Sequence, residues 1–254
     1  MKNFFLVLFA LVLVLSSAAG VANELTKVFK YGKPLIIGKD TVIIDGKIQT
    51  VDPAVSGADP LEDAAINNAA RATVRVTANT GAGKLNNTGS GVNISPDGVI
   101  ITCAHVIDEA VSVRVTFFNG RSFPAEVKAT DKEKDLAVLI LNRSRENLPV
   151  IALGDSWEVW AGDGITILGY PFGDFTITPG TIERLGFPSQ GKYNAPTLHI
   201  RATVLKGNSG GPVIDHNGDV VGIIAGSYET EDDSQTSRFG VAIAINEVKP
   251  LINQ

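Results

Sequence analysis

Three short segments of the sequence carry residues that together could hydrolyse an amide bond by covalent catalysis. His105 follows an apolar run, Asp135 precedes a second one, and Ser209 lies in the glycine-rich segment 207–212. Covalent hydrolysis needs a hydroxyl nucleophile, a base that takes its proton, a carboxylate that orients the base, and hydrogen-bond donors for the oxyanion. The sequence offers one candidate for each role, in the order histidine, aspartate, serine.

Each of these residue types also has a common structural role. A lone histidine is more often structural than catalytic, and we expect this for His199 and His216, which lack comparable flanking motifs. Asp135 alone is compatible with a strand cap, a role that Asp131 fits as well. The Leu-Ala-Val-Leu run after Asp135 instead favours a catalytic carboxylate at the start of a buried strand.

The only cysteine, Cys103, stands two residues before His105. In an extended strand the two side chains point to the same face. The apolar neighbours Ile100, Ile101 and Val106 predict a buried thiol with a high pKa, so we do not expect Cys103 to be a nucleophile. Because the histidines are scattered and the Asp and Asn pairs do not match a calcium loop, the sequence predicts no metal and no other cofactor.

Short strands joined by tight turns must position these residues. The 26 Gly, 12 Pro and 7% aromatic residues favour an all-β protein. Two turn motifs, Ser95-Pro96-Asp97-Gly98 and Asn119-Gly120, are typical of tight hairpins. The predicted strands are residues 73–78, 89–94, 99–103, 111–118, 122–129, 136–142, 164–169, 175–183, 197–203, 212–214, 220–225 and 239–244.

This series of strands divides evenly about a connection near residues 143–157. It therefore predicts two packed six-stranded antiparallel β-barrels, the first at about 72–142 and the second at about 158–245, with a site in the cleft between them. Before the barrels, Asp59 as N-cap, Pro60 and Glu62 predict a short helix that ends near Arg71. Residues 59–254 are thus the predicted catalytic domain.

The first 22 residues have the composition of a secretory signal. Lys2 supplies the charge, residues 4–15 form an apolar run, and Gly20-Val21-Ala22 offers small residues for cleavage. An uncleaved anchor is the alternative, although a bilayer span needs about 20 residues, so no stable membrane span is predicted. We therefore expect an exported protein, periplasmic or secreted, from a bacterium.

Residues 23–58 form an N-terminal extension with hairpin character, in which Asp45-Gly46 is the turn. Its role is unknown, and one hypothesis is an arm for homo-oligomerisation. Removing residues 1–22 removes Lys2 and no acid, so the net charge of −5 becomes about −6. This acidic balance argues against a nucleic-acid partner.

The flanking motifs extend over most of the chain, from about residue 61 to 251. They are Gly89-Ser90-Gly91, Ser95-Pro96-Asp97-Gly98, Ala104-His105-Val106, Asp135-Leu136-Ala137, Leu153-Gly154-Asp155-Ser156, Gly169-Tyr170-Pro171-Phe172-Gly173 and Gly207-Asn208-Ser209-Gly210-Gly211-Pro212. On these motifs the sequence resembles trypsin-like serine proteases of chymotrypsin fold, most closely the bacterial Deg or HtrA type. The resemblance implies a serine endopeptidase with polypeptide substrates and the triad His105, Asp135 and Ser209.

The same resemblance implies an oxyanion hole formed by the backbone N–H groups of Gly207 and Ser209. It also implies a primary substrate pocket built from Thr203, Val204, Leu205, Lys206, Ile224, Ala225 and Gly226. No acidic residue stands at the base of this pocket, so we expect cleavage after a small or apolar residue rather than after Lys or Arg. The alternative is a catalytically silent binding protein or chaperone that uses the same cleft.

The sequence departs from most Deg-type relatives at its end. Those proteins carry peptide-binding PDZ domains after the protease, whereas this sequence stops at Gln254, so we expect no PDZ domain. Any regulation would then come from loops, for which residues 78–88 and 227–238 are the candidates. A second departure is Asn208, which cannot form the ion pair by which an aspartate activates animal trypsin-like enzymes.

Overall fold

The structure is a computed structural model that describes residues 35–36, 41–44, 47–50, 63–81, 86–142, 147–187, 192–232 and 235–252. The chain divides into two compact units, residues 1–53 and 54–254. In the first unit, strands β1 (Leu35–Ile36), β2 (Thr41–Ile44) and β3 (Lys47–Thr50) form an antiparallel sheet in that order. The predicted signal, the Asp45-Gly46 turn and the predicted helix start at Asp59 lie outside the described residues.

The second unit begins with helix α1 (Asp63–Ala72), which leads directly into a closed six-stranded antiparallel barrel with the order β4-β5-β6-β9-β8-β7. Some of the turns between its strands contain glycines with left-handed backbone angles. Gly98, for example, has a φ of 84° and donates its N–H to the Ser95 carbonyl at 2.9 Å, as the Pro-Asp-Gly motif predicts. The strands are β4 (Thr73–Asn79), β5 (Asn87–Asn93), β6 (Val99–Thr102), β7 (Ser112–Phe117), β8 (Ser122–Asp131) and β9 (Leu136–Leu141).

The remaining strands close a second six-stranded antiparallel barrel, with the order β10-β11-β12-β15-β14-β13. They are β10 (Gly164–Gly169), β11 (Thr176–Gly186), β12 (Thr197–Arg201), β13 (Pro212–Ile214), β14 (Val220–Asp232) and β15 (Gln235–Ala244), followed by helix α2 (Lys249–Ile252). The predicted all-β fold of two six-stranded barrels with a short N-terminal helix is confirmed. Among the described residues, no helix is long and apolar enough to cross a membrane.

The main hydrophobic cluster joins the two barrels. Leu139 of the first barrel and Ile223 of the second belong to the same group of buried side chains and are both fully buried. A smaller cluster, which includes Ile167 and Ile200, fills the interior of the second barrel alone. The barrels therefore share a core, and burial of apolar surface fixes one against the other.

The predicted loop at residues 227–238 is wrong. Strand β14 continues to Asp232 and β15 begins at Gln235, with Tyr228 opposite Phe239 and Glu229 opposite Arg238 in the register. The stacked rings of Tyr228 and Phe239 form an aromatic cross-strand pair that stabilises the ladder, which the acidic composition of the segment obscured. The region is therefore a long hairpin that extends the second barrel.

We predict that Leu139→Ala lowers the free energy of unfolding by about 2–5 kcal/mol, because it leaves a cavity where a fully buried side chain stood. The neighbouring Ile140, which is 41% exposed on the same strand, is the matched control. Its replacement by alanine should cost less than about 1 kcal/mol. Urea denaturation followed by circular dichroism measures both values, and equal losses would contradict the described core.

Candidate active site

His105 and Asp135 lie together because β6 and β9 are antiparallel neighbours. The pairing of Thr102 with Ala137 brings the end of β6 to the start of β9. His105 follows β6 in a 3₁₀ turn, Ala104–Val106, and its Nδ1 lies 2.7 Å from Oδ2 of Asp135. The other carboxylate oxygen accepts the backbone N–H of His105 at 2.9 Å. One carboxylate thus holds both the backbone and the ring of the histidine.

Asp135 occupies an unusual backbone conformation. Its φ of 58° lies in the left-handed region, which few non-glycine residues adopt and aspartate tolerates better than most. The residue is buried, and its carbonyl accepts the N–H of Ala104 at 3.2 Å. Because its carboxylate makes two bonds to His105, the strain serves to aim the side chain at the imidazole.

Nδ1 of the His105 ring is bonded to Asp135, whereas Nε2 has no hydrogen-bond partner among the described residues. The side chain is 49% exposed, whereas that of Asp135 is 11% exposed. With Nδ1 donating to the carboxylate, the lone pair lies on Nε2, which is the tautomer required of a general base.

Ser209 lies in a turn that only glycine-rich sequence can form. Gly207 and Gly210 have φ values of 106° and 86°, both in the left-handed region. A Cβ on Gly207 would lie 2.5 Å from the Tyr170 carbonyl oxygen, and one on Gly210 would collide with the Ser90 carbonyl oxygen. Side chains at either position are therefore incompatible with the turn.

Two contacts bring the Ser209 turn to the His105 segment. A Cβ on Gly89 would lie 2.7 Å from Val106 and 2.9 Å from the Ser209 carbonyl oxygen, so Gly89 is enclosed between these two segments. The carbonyl of Ile224 accepts the Gly210 N–H at 2.7 Å and lies 3.1 Å from the Cys103 sulfur. The histidine, the aspartate and the serine turn thus meet at one place between the barrels.

Ser90, which is fully buried in β5, fastens the serine turn to the first barrel. Its N–H donates to the Ser209 carbonyl at 2.8 Å, and its hydroxyl donates to the Gly207 carbonyl at 2.7 Å. The same hydroxyl accepts the Tyr170 N–H at 2.8 Å, while Thr102 donates its hydroxyl to the Ser90 carbonyl at 2.7 Å. Ser90 was not predicted as a site residue, although a serine between two glycines in a buried strand is a signal that could have identified it.

The proposed oxyanion donors lie on this fastened turn. Within the described part of the chain, neither the Gly207 nor the Ser209 N–H donates to a backbone carbonyl. The amides on either side of Ser209 are occupied, because Asn208 donates to Leu205 at 3.0 Å and Gly210 donates to Ile224. An oxyanion hole requires two backbone N–H groups that are not already bonded to another acceptor.

A cavity of about 270 Å³ lies along β14, close to this site. Tyr193 in its wall donates its hydroxyl to the Ala225 carbonyl at 3.1 Å. Burial, and then the charges of Asp135 and Cys103, raise the pKa of Tyr193 to about 12, so the phenol stays a neutral donor. The lining residues are Phe187, Lys192, Tyr193, Ala195, Thr197, His199, Ala225, Gly226, Ser227, Tyr228 and Val241.

Two of the seven residues predicted for the substrate pocket, Ala225 and Gly226, line this cavity, and the segment 203–206 and Ile224 do not. The segment 203–206 instead precedes the serine turn, with Leu205 and Lys206 exposed. Tyr193 and Tyr228 were not identified from the sequence, because no motif links them to the triad and their proximity depends on barrel closure.

Of the other histidines, His216 lies exposed on a turn and His199 lies in the cavity wall. Nδ1 of His199 is 2.9 Å from the Tyr228 hydroxyl, and Nε2 is 3.3 Å from that of Thr197. Burial, and then the charge of Arg184, lower the pKa of His199 below its ordinary value. His199 therefore stabilises the wall in its neutral form.

Residues 89–223 match the family model described as a trypsin-like peptidase domain, which is more than half of the chain. The chain belongs to the trypsin-like peptidase family. The matched range contains all three candidate catalytic residues and Ser90.

Relatives of this trypsin-like chain are named serine proteases or endoproteases. It is 37% identical over 171 residues to the putative serine protease HhoA of Synechocystis, covering 65% of this chain and 42% of that protein. It is 37% identical over 136 residues to a probable periplasmic DegP-like serine endoprotease of Halomonas elongata, covering 53% of this chain and 28% of that protein. The chain thus spans less than half the length of these relatives.

Solved structures agree with the fold. The HtrA-type protease AlgW with a tripeptide is 30% identical and superposes with a TM-score of 0.64, covering 74% of this chain and 61% of that one. AlgW with a decapeptide is 26% identical, with a TM-score of 0.64, and covers 74% of this chain and 65% of that one.

We predict that Ser90→Ala lowers the free energy of unfolding by about 1–3 kcal/mol, because the Tyr170 N–H and the Gly207 carbonyl would be left buried without a partner. Ser112→Ala, at an exposed position of β7, is the control and should change stability by less than about 0.5 kcal/mol. Urea denaturation measures both. A Ser90→Ala variant as stable as Ser112→Ala would show that the hydrogen bonds of Ser90 contribute nothing to the free energy of unfolding.

The lowered pKa of His199 predicts a pH dependence of stability. As the pH falls from about 7.5 to about 5.5, the unfolded chain takes up a proton on His199 before the folded chain does, so the free energy of unfolding decreases. His199→Gln should therefore show a shallower decrease than wild type. Thermal or urea unfolding at several pH values measures the slope, and His216→Gln is the comparison variant. A steeper or unchanged slope in His199→Gln would reject the assignment.

Proposed function

We propose that this chain is a serine endopeptidase in which Ser209 is the nucleophile, His105 the general acid and base, and Asp135 the residue that orients it. The observation that supports this most is the double contact of one buried carboxylate with His105, at 2.7 Å to Nδ1 and 2.9 Å to the backbone N–H. An exposed ion pair would not need the left-handed backbone that Asp135 adopts.

In the proposed reaction, Nε2 of His105 takes the proton of the Ser209 hydroxyl as its oxygen attacks the substrate carbonyl carbon. The resulting imidazolium is stabilised by the Asp135 carboxylate, which accepts the hydrogen bond of the Nδ1–H group throughout and stays ionised. The same imidazolium then gives its proton to the leaving amine, and an acyl-enzyme remains on Ser209. Water, activated by His105 in the same way, releases the acid and restores the hydroxyl.

The developing oxyanion would bind the N–H groups of Gly207 and Ser209. The peptide planes that carry these N–H groups are held through their own carbonyls, because the Lys206 carbonyl accepts the Phe172 N–H at 3.1 Å and the Asn208 carbonyl accepts the Gly211 N–H at 2.8 Å. Donors arranged before the substrate arrives cost little reorganisation in the transition state. A donor of this kind is worth about 3–4 kcal/mol of transition-state stabilisation.

The substrates are proposed to be exported or misfolded polypeptides. The cavity on β14 supports a polypeptide substrate with an apolar side chain, because its wall is largely apolar and aromatic. Cleavage after a small or apolar residue remains our prediction for specificity. An exported bacterial location is supported by relatives named periplasmic endoproteases.

We predict that Ser209→Ala lowers cleavage of unfolded casein at least about a thousandfold, because the nucleophile is lost while the binding groups remain. Wild-type protein should also react with a fluorophosphonate at Ser209, located by peptide mass mapping. Ser112→Ala, at an exposed position of the first barrel, is the matched serine control and should react and cleave as wild type does.

Casein cleavage that survives Ser209→Ala would contradict the assignment of the nucleophile. Folded wild-type protein that forms no adduct and cleaves no casein would instead favour the alternative, a silent binding protein or chaperone that uses the same cleft.

A further inference from the structure

Cys103 is a buried nucleophilic group that the proposed mechanism does not use. It is fully buried and is the only cysteine of the chain. It lies directly between β6 and the turn that carries His105, with its sulfur 3.1 Å from the Ile224 carbonyl oxygen. The thiol therefore lies close to His105.

The ligand atoms of three residues converge here. The Cys103 sulfur, one imidazole nitrogen of His105 and one carboxylate oxygen of Asp135 all lie within 4.8 Å of one another. Thiolate, imidazole and carboxylate are the ligand types that bind zinc and related thiophilic cations. From this arrangement we infer that Cys103, His105 and Asp135 form an inhibitory binding site for a thiophilic divalent cation such as Zn²⁺.

The separations reach those of a tetrahedral zinc site after movements of about 1 Å. With bonds of about 2.3 Å to sulfur and about 2.0 Å to nitrogen or oxygen, tetrahedral zinc holds sulfur about 3.6 Å from the other ligand atoms and nitrogen about 3.3 Å from oxygen. The separations from the sulfur, which are within 4.8 Å, therefore close by up to about 1.2 Å, and the 2.7 Å between Nδ1 of His105 and Oδ2 of Asp135 opens by about 0.6 Å. The His105 ring, which is half exposed, can make these movements and also provides the entry path, because Cys103 itself has no contact with solvent.

The negative charge of the Asp135 carboxylate beside the thiol favours a divalent cation at this place. A thiolate beside the Asp135 carboxylate would be a buried pair of like charges, which a divalent cation neutralises. On binding, the thiol gives up its proton to solvent and its weak bond to the Ile224 carbonyl.

The bound cation would stop catalysis through the histidine, a consequence that rests on the proposed function. Coordination by Nδ1 of His105 requires its lone pair, so the single ring proton moves to Nε2. Nε2 can then no longer take the proton of Ser209. The cation also occupies the carboxylate oxygen of Asp135 that stabilises the imidazolium. The bound cation would thus remove the general base and the stabilising carboxylate of the proposed triad without contacting Ser209.

Cadmium is the probe for this site, because it shares the ligand preference of zinc and its thiolate complex has an ultraviolet charge-transfer band. Since Cys103 is the only thiol, the band reports this site alone. We expect Cd²⁺ titration of the purified wild-type protein to produce the band, saturating at one ion per chain, and to inhibit casein cleavage over the same concentration range. Zn²⁺ should compete with Cd²⁺ for the band.

Three variants test the ligands. Cys103→Ser and Cys103→Ala should lose the band and require at least about tenfold more Cd²⁺ for half-inhibition, each measured against its own uninhibited rate. His105→Ala keeps the thiol and should need at least about tenfold more Cd²⁺ to reach the band, a readout that does not depend on activity. His216→Ala, which removes an exposed histidine, should match wild type in band and inhibition.

The outcomes separate this inference from the proposed function. A band that depends on Cys103 and His105 in a protein without protease activity would support the cation site and reject the proposed catalysis. Active protein that gives no band, or whose half-inhibition is the same in wild type and Cys103→Ser, would overturn the cation site and leave the catalysis intact. A band unaffected by His105→Ala would also overturn it.

Discussion

The candidate site depends on the hydrogen bonds that connect the two barrels at Ser90. His105 and Asp135 belong to the first barrel and Ser209 to the second, so no local sequence fixes their relative positions. The buried Ser90 of β5 does so with three hydrogen bonds of 2.7–2.8 Å, two of them to the carbonyls of Gly207 and Ser209. Because a buried group without its partner is costly, this clamp resists sliding of the barrels more specifically than apolar contact does.

Glycine residues allow the two barrels to approach closely enough for these hydrogen bonds to form. Gly210 and Gly211 lie against the carbonyls of Ser90 and Leu168 so closely that a Cβ on either would collide with them. The left-handed conformations of Gly207 and Gly210 turn the chain sharply enough to leave the amides of residues 207 and 209 without backbone partners in the described region. Close approach and unusual backbone angles thus produce the positioned donors that the proposed chemistry needs.

Much of this fold could be predicted from the sequence, because its strands are short, apolar and separated by strong turn signals. The predicted strand 164–169 has the observed bounds, and that at 73–78 differs by one residue. The long β14–β15 hairpin was missed, since the acidic composition of the segment is typical of a solvated loop and the strand register is visible only in the sheet. Local composition does not encode cross-strand pairing.

The candidate site could be predicted in part for the same reason. His105, Asp135 and Ser209 stand in distinctive local motifs, whereas Ser90, Tyr193 and His199 act through partners more than 25 residues away in the chain. The shared face of Cys103 and His105 was predictable from strand geometry, but the convergence of Asp135 on the same point required the β6–β9 pairing.

In the proposed mechanism the Ser209 hydroxyl attacks a carbonyl whose oxygen is bound by two prearranged amides. A crystal structure of the protein inhibited by a peptidyl phosphonate would show these contacts at the reacting atoms. We expect phosphorus bonded to Oγ of Ser209, one phosphonyl oxygen within hydrogen-bond distance of the Gly207 and Ser209 N–H groups, and Nδ1 of His105 still bonded to Asp135. A phosphonate bound to another residue, or one whose oxygen points away from both amides, would contradict it.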